Sequence, residues 1–176
     1  MPAMLQKART LYREKRWFRW AVELGVLALI VTVVGAIQAR NHPRGAAPAY
    51  VFTTLEQQQV SFASLAGKPT LLTIWAPWCS VCKAESDNVG RAHRWLGGKV
   101  NVVSVATAFQ DEGQVRAYMQ AQGVDYPVLL AGDDFPQVMR VDAFPTLFVL
   151  DAQGRIVGSA QGYVTTLGLL WRALWA

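Results

Sequence analysis

The chain predicts an α/β domain, a central sheet covered by helices on both faces, behind a single N-terminal membrane-spanning helix. Three observations carry that expectation. From residue 51 onward, β-rich apolar runs alternate with helically spaced segments, the pattern of strand–helix units sharing one sheet. An uncharged apolar stretch, "LGVLALIVTVVGAIQA" at 24–39, precedes them. The only two cysteines of the 176 residues stand three positions apart, within "WAPWCSVCKAES" at 75–86.

The formal charge of +5 belongs to one end of the chain. Residues 1–20 carry Lys7, Arg9, Arg13, Lys15, Arg16 and Arg19 against Glu14 alone, whereas from residue 45 nine Lys and Arg meet ten Asp and Glu. A nucleic-acid surface needs basic residues gathered on the folded domain, so that class is excluded. The leader instead reads as a cytoplasmic basic segment, 1–20, before a transmembrane anchor at 21–39. With Trp17, Phe18 and Trp20 at the interface and the basic flank inside, a single-pass helix in a bacterial inner membrane sends everything after residue 40 to the periplasm. A cleaved signal peptide is the rival, with small residues at Val34-Gly35-Ala36; the long leader and long apolar run favour an uncleaved anchor. A buried core helix would show a polar face, and this stretch has none. In the periplasm a dithiol can be oxidised and stay so.

Residues 40–50, rich in Pro, Gly and Ala, read as a linker to a domain at 51–176. "YVFTT" and "QVSFASL" predict two short strands, and "GKPTLLTIWA" a buried central one. Helical spacing over 79–96 stops at "LGG". "KVNVVSVATA" is a second buried strand, and "DEGQVRAYMQAQG" a helix with acids in its first turn and Gly123 just past its end. "YPVLL" is a short strand and "DDFPQVMRVD" a short helix or turn. "PTLFVLD" and "RIVGSAQG" form a hairpin about Gly154. In the closing "TTLGLLWRALWA", the stripe Leu167, Leu170, Trp171 and Leu174 is expected to pack into the core.

Cys79 follows a buried strand where a helix begins, so unpaired N–H groups and the helix dipole favour its thiolate. In such Cys-x-x-Cys settings a thiol pKa falls from about 8.5 toward roughly 3.5–7.5. Cys82 lies one turn further in, placed to resolve a mixed disulfide formed at Cys79. Haem attachment would need histidine at 83, which is lysine. Structural zinc would need four ligands, and His42 and His93 are the only histidines. A staple closing so small a loop adds little stability. The redox reading stands ahead of all three.

The segment "VSFASLAGKPTLLTIWAPWCSVCKAE" resembles the membrane-anchored TlpA-like/ResA-like thiol-disulfide oxidoreductases of the thioredoxin superfamily. "VDYPVLL" and "VDAFPTLFVLDAQGRIVGSAQG" resemble that family's cis-proline strand and the hairpin after it. The likeness covers about 51–175, and "AFPT" is similar to the branch of suppressor of copper sensitivity and DsbE-type proteins. It implies a thioredoxin-like fold, a central mixed β-sheet flanked by helices, and no cofactor beyond a redox-active Cys79–Cys82 disulfide. It implies an attacking Cys79, a resolving Cys82, and a cis-proline at Pro145 that holds the backbone of Phe144 ready to pair with a substrate strand. Glu85 matches a family acid three residues past the second cysteine, on the same helical face, able to exchange a proton with the resolving thiol; a solvated surface acid is its plainer role. Phe144, Trp78 and Thr146 are the expected substrate contacts, with packing the competing role for Trp75 and Trp78.

Departures sharpen the picture. Thioredoxin's buried aspartate is replaced by Thr73, the usual glycine before the cis-proline by Ala143, and the position before Pro145 holds the large Phe144. Ser80 and Val81 between the cysteines supply no charged donor to stabilise a thiolate, which points to a reductase or isomerase of moderately low potential kept reduced by a membrane electron donor. Its substrates would be periplasmic proteins bearing cysteines. The alternative is a copper-handling protein with the thiols as soft Cu(I) ligands, although no Met or His cluster completes such a site.

Overall fold

The computed structural model describes residues 16–176. The chain divides into two units, one ending at Ile37 and one spanning Gln38–Ala176. The basic leader of 1–15 lies outside the described residues. Helix α1 (Arg16–Asn41) supplies the first unit, and its Trp17–Gly35 portion is long and apolar enough to cross a membrane.

The second unit is one eight-stranded mixed sheet. Its strands are β1 (Gly45–Ala46), β2 (Val51–Thr54), β3 (Gln59–Ser61), β4 (Thr70–Trp75), β5 (Asn101–Ala106), β6 (Val128–Leu130), β7 (Thr146–Leu150) and β8 (Arg155–Gln161). They lie in the order β1-β8-β7-β4-β5-β6-β2-β3. Only β4–β5 and β5–β6 are parallel; β7 runs antiparallel to β4, with Thr70 opposite Leu150 and Ile74 opposite Thr146. Every residue of β4 and β7 is buried, which explains why both are largely apolar and carry no charge, with threonine their only polar residue.

Helices α2 (Ser80–Leu96) and α3 (Glu112–Gln122) are the crossovers between the parallel strands. Both connections step the same way across the sheet, so right-handedness puts both helices on one face. There they share a core of Leu71, Trp75, Val89, Val115 and Tyr118 with α5 (Thr166–Ala173). The opposite face is covered more thinly, by a 3₁₀ turn at Phe62–Leu65 and the single turn α4 (Phe135–Val138). Its core is a cluster of rings, Phe52, Phe62, Phe135 and Phe148, with Met139. Local chemistry sets the ends: Asp111 caps α3 by accepting from Gln114 N–H, and Gly97 and Gly123 take the left-handed conformation that closes α2 and α3.

Two expectations change here. The segment 40–50 is not a loose linker within the second unit. His42 is buried against Phe148 and hydrogen-bonded through Nδ1 to Ser159 Oγ at 2.9 Å, and Gly45–Ala46 pairs with β8 at Ile156 and Arg155. Two residues are too few to leave a strand pattern in sequence. The closing helix is also turned differently from the expected stripe. Leu169 and Ala173 are buried and Leu170 half-buried, while Leu167, Trp171 and Leu174 face outward. Apolar residues on nearly every side of α5 left its orientation undetermined, and the small Ala173 is what permits close packing.

Candidate active site

Strand β4 delivers the chain to the site. Trp75, its last residue, is buried and stacks on Tyr118 with ring centroids 4.0 Å apart. The chain then turns through Ala76–Trp78 to Cys79, the N-cap of α2, whose backbone is extended. Cys79 Sγ accepts the N–H of Cys82 at 3.1 Å. The sulfur therefore takes the place that a serine or aspartate oxygen holds in ordinary caps, with the helix dipole directed at it. That is the electrostatic position the sequence predicted.

Cys79 and Cys82 are joined as a disulfide. Both are buried, Cys79 at 7% exposure and Cys82 at 3%. In the oxidised state the two sulfurs therefore differ little in accessibility. What distinguishes the two sulfurs here is the N–H that Cys79 receives.

The antiparallel register of β4 and β7 brings the entry to β7 beside the exit of β4. The Phe144–Pro145 peptide there is cis. Pro145 is buried, and its carbonyl accepts from Gly162 N–H at 2.8 Å. Phe144 is half-buried and meets Trp78 edge-on at 5.8 Å. Trp78 is 65% exposed, and its indole N–H donates to the Ala108 carbonyl at 3.0 Å. Ala108 has a φ of +51°, a left-handed conformation that costs a non-glycine residue energy. Hollows lie on both sides of this aromatic wall, one lined by Trp78, Lys83, Gln114 and Tyr118, the other by Phe109, Asp133, Val141 and Phe144. Thr146 departs from expectation. It is fully buried, and its hydroxyl donates to Ala143 O at 2.7 Å, so it fixes the loop before β7 and offers no surface to a substrate.

Glu85 is 2% exposed, which removes the surface-acid alternative. It stands one turn beyond Cys82 on α2, and its Oε1 accepts the backbone N–H of Val164 at 2.7 Å. Burial pushes its carboxyl up to about 7, with the Val164 N–H pulling in the opposite direction. The neighbouring Ser86 hydroxyl pairs with Tyr126 OH at 2.9 Å, and the phenols of Tyr118 and Tyr126 are both raised by burial. Val164, Ala108 and Tyr118 went unnoticed in the sequence. The first two contribute backbone groups, which carry no side-chain signature, and Tyr118 looks like any core position of a helix.

Thr73, in the aspartate's place, is buried within β4. His42 lies against β8, and His93 is eleven residues past Cys82 along α2, about 16 Å at the helical rise. Among the described residues, no three His, Cys, Asp or Glu side chains gather into a metal-binding group.

A Cys-x-x-Cys disulfide capping a helix, beside a cis-proline loop on a mixed sheet, defines a thioredoxin-like thiol-disulfide oxidoreductase of the TlpA/ResA type. The Redoxin family profile matches residues 43–167, and the chain belongs to that family. It is 30% identical over 121 residues to the thioredoxin-like protein YneN of Bacillus subtilis, covering 68% of this chain and 71% of YneN. It is 26% identical to the thiol-disulfide oxidoreductase ResA of the same organism, covering 68% and 67%. Among solved structures, a thiol:disulfide interchange protein of the thioredoxin family from Chlorobium tepidum superposes with a TM-score of 0.66 at 26% identity, covering 76% of this chain and 97% of that one. A DsbF homologue from Corynebacterium diphtheriae shares the fold, with a TM-score of 0.68 at 24% identity over 76% and 87% of the two chains.

Proposed function

We propose that the protein is held in the bacterial inner membrane by α1 and reduces disulfides of periplasmic proteins, its own dithiol being regenerated by a membrane electron donor. The observation that carries this reading is the Cys79–Cys82 pair at the N-terminus of α2 with the buried Glu85 one turn behind it. In the reduced protein, Cys79 thiolate attacks a substrate disulfide. A Cys79–substrate bond forms, and the other substrate sulfur leaves as a thiolate and takes up a proton. Cys82 then gives its proton to Glu85 and attacks Cys79. The second substrate sulfur leaves as a thiolate and takes up the proton that Glu85 received from Cys82, and the protein is left oxidised as in this structure. The substrate has gained two electrons from the dithiol and two protons, one from Cys82 by way of Glu85 and one from solvent. A carboxyl near neutrality suits that exchange, because both of its forms are populated at working pH.

Phe144 and Trp78 form the wall against which a substrate strand would lie, pairing with the backbone beside the cis-proline. The exposed Ser80 and Val81 add no charged donor to the attacking sulfur, which supports a reductant over a strong oxidant. The deciding measurement is the reduction potential against glutathione. A value well below that of the glutathione pool supports the reducing direction, and one near the strong oxidants, roughly −120 mV, rejects it. For topology, a periplasm-dependent reporter joined after residue 45 is expected to be active; a silent fusion rejects export.

A further inference from the structure

The closing helix leaves its most apolar side uncovered. Leu167, Trp171, Leu174 and Trp175 are 60–76% exposed, and the two indoles meet edge-on at 5.5 Å. They continue into a groove against β8 lined by Val149, Val157, Gly158, Trp171, Arg172 and Trp175. An apolar surface so rich in tryptophan on one side of a domain marks an interaction site, and tryptophan is the residue that settles at a membrane–water boundary.

The route of the chain says which surface is near. Helix α1 ends at Asn41, and the domain's first strand begins at Gly45 beside Arg155 and Ile156 of β8. Four residues span at most about 14 Å. The sheet edge carrying Val157 and the tryptophan groove is thus the edge at which the tether enters the domain. Charge agrees. Arg155 is taken up by Asp151, but residues 38–50 and 156–176 of the domain still contribute Arg40, Arg44 and Arg172 and hold none of the chain's 12 Asp and Glu. That pairing of apolar anchors with basic neighbours matches an anionic lipid interface.

We propose that the α5–β8 edge is a membrane-docking surface, laying Leu167, Trp171, Leu174 and Trp175 into the headgroup–acyl boundary of the bilayer that α1 crosses. The proposal rests on the anchoring reading. Docking fixes the orientation of the domain and so the direction in which Trp78 and the dithiol are presented to partners.

The test uses the full chain in nanodiscs holding one molecule each, with phosphatidylcholine brominated near the headgroup as a short-range quencher of tryptophan. The emission lost on going from the parent to the Trp171→Phe/Trp175→Phe variant isolates the two indoles, and the corresponding Trp17→Phe/Trp20→Phe difference isolates the anchor. Docking predicts at least twofold quenching of the Trp171/Trp175 component, deepened by added phosphatidylglycerol, with Arg172→Glu cancelling that deepening. A quenched anchor with unquenched Trp171 and Trp175 overturns docking and leaves anchoring intact. An unquenched anchor in a chain that fails to sediment with vesicles overturns both. Shielding of Trp171 and Trp175 only when several molecules share a disc assigns the surface to a second copy and also overturns the proposal.

Discussion

Two carboxylates at opposite ends of the sheet do opposite things with the same ligand, a backbone N–H. At the end of β4 that bears the dithiol, Glu85 is buried and receives one such donor, from Val164. At the far end, Asp151 in the β7–β8 hairpin accepts from the N–H groups of Gln153 and Arg155 at 3.0 and 2.9 Å and from Arg155 Nε at 2.8 Å. Burial wins at Glu85 and raises its pKa to about 7; hydrogen bonding, led by the Arg155 N–H, wins at Asp151 and lowers it. A hydrogen bond to a carboxylate therefore does not reveal its charge state. The count of donors against the loss of water does. One end of the sheet holds a carboxyl that burial raises toward neutrality, and the other holds one whose hydrogen bonds favour the carboxylate that fastens the hairpin.

The largest effect expected is at the chemical end. Cys79→Ser should bring exchange with small disulfides to background with the fold intact, as judged by circular dichroism. Residual turnover through Cys82 alone would break the assignment of the attacking sulfur.

Glu85→Gln comes next. Because the folded pKa lies above the unfolded value of about 4.5, this group's contribution is fully present below pH 4.5 and is lost as pH rises through 7. At about 1.4 kcal/mol per unit, the loss is on the order of 3 kcal/mol. The glutamine variant should therefore match the parent near pH 4 and be more stable than it at pH 8, by denaturant unfolding. Its exchange rate should also lose the inflection near neutrality. Parallel stability curves for the two proteins would show that Glu85 is not the titrating group.

Phe144→Thr removes the edge-on contact with Trp78, a loss of about 1 kcal/mol, and should widen the range of disulfide partners. An unchanged partner range would detach Phe144 from substrate choice. The smallest effect belongs to Asp151→Asn, which should lower Tm slightly and leave exchange rates unaltered. With a depressed folded pKa, the parent's hairpin is expected to loosen only as pH falls through the carboxylate range, followed by hydrogen exchange at Gly154 and Arg155. Slowed exchange chemistry in this variant would mean that the two ends of the sheet are not independent.

How much was legible in the sequence follows from the length of each signal. β4, β5 and β7 announced themselves because each is rich in apolar, β-favouring residues and free of charge, and α2 because its spacing ran from Cys79 to two glycines. The dithiol was found by its spacing, and the cis geometry at Pro145 by likeness to a family. What stayed hidden depends on neighbours that only folding supplies. Thr146 resembled a site residue until the register with Ile74 turned it inward. Glu85 was ambiguous until Val164 met it from 79 residues away.

The two-residue strand β1 has a practical meaning for the outer edge of the sheet. A secreted form started at Val51 would shed Gly45 and Ala46 along with the imidazole that lies over Phe148. Ile156 and Arg155 would then belong to a bare margin, the kind of template on which separate molecules stack strand to strand. A form started at Gln38 brings its own cover and should stay dispersed.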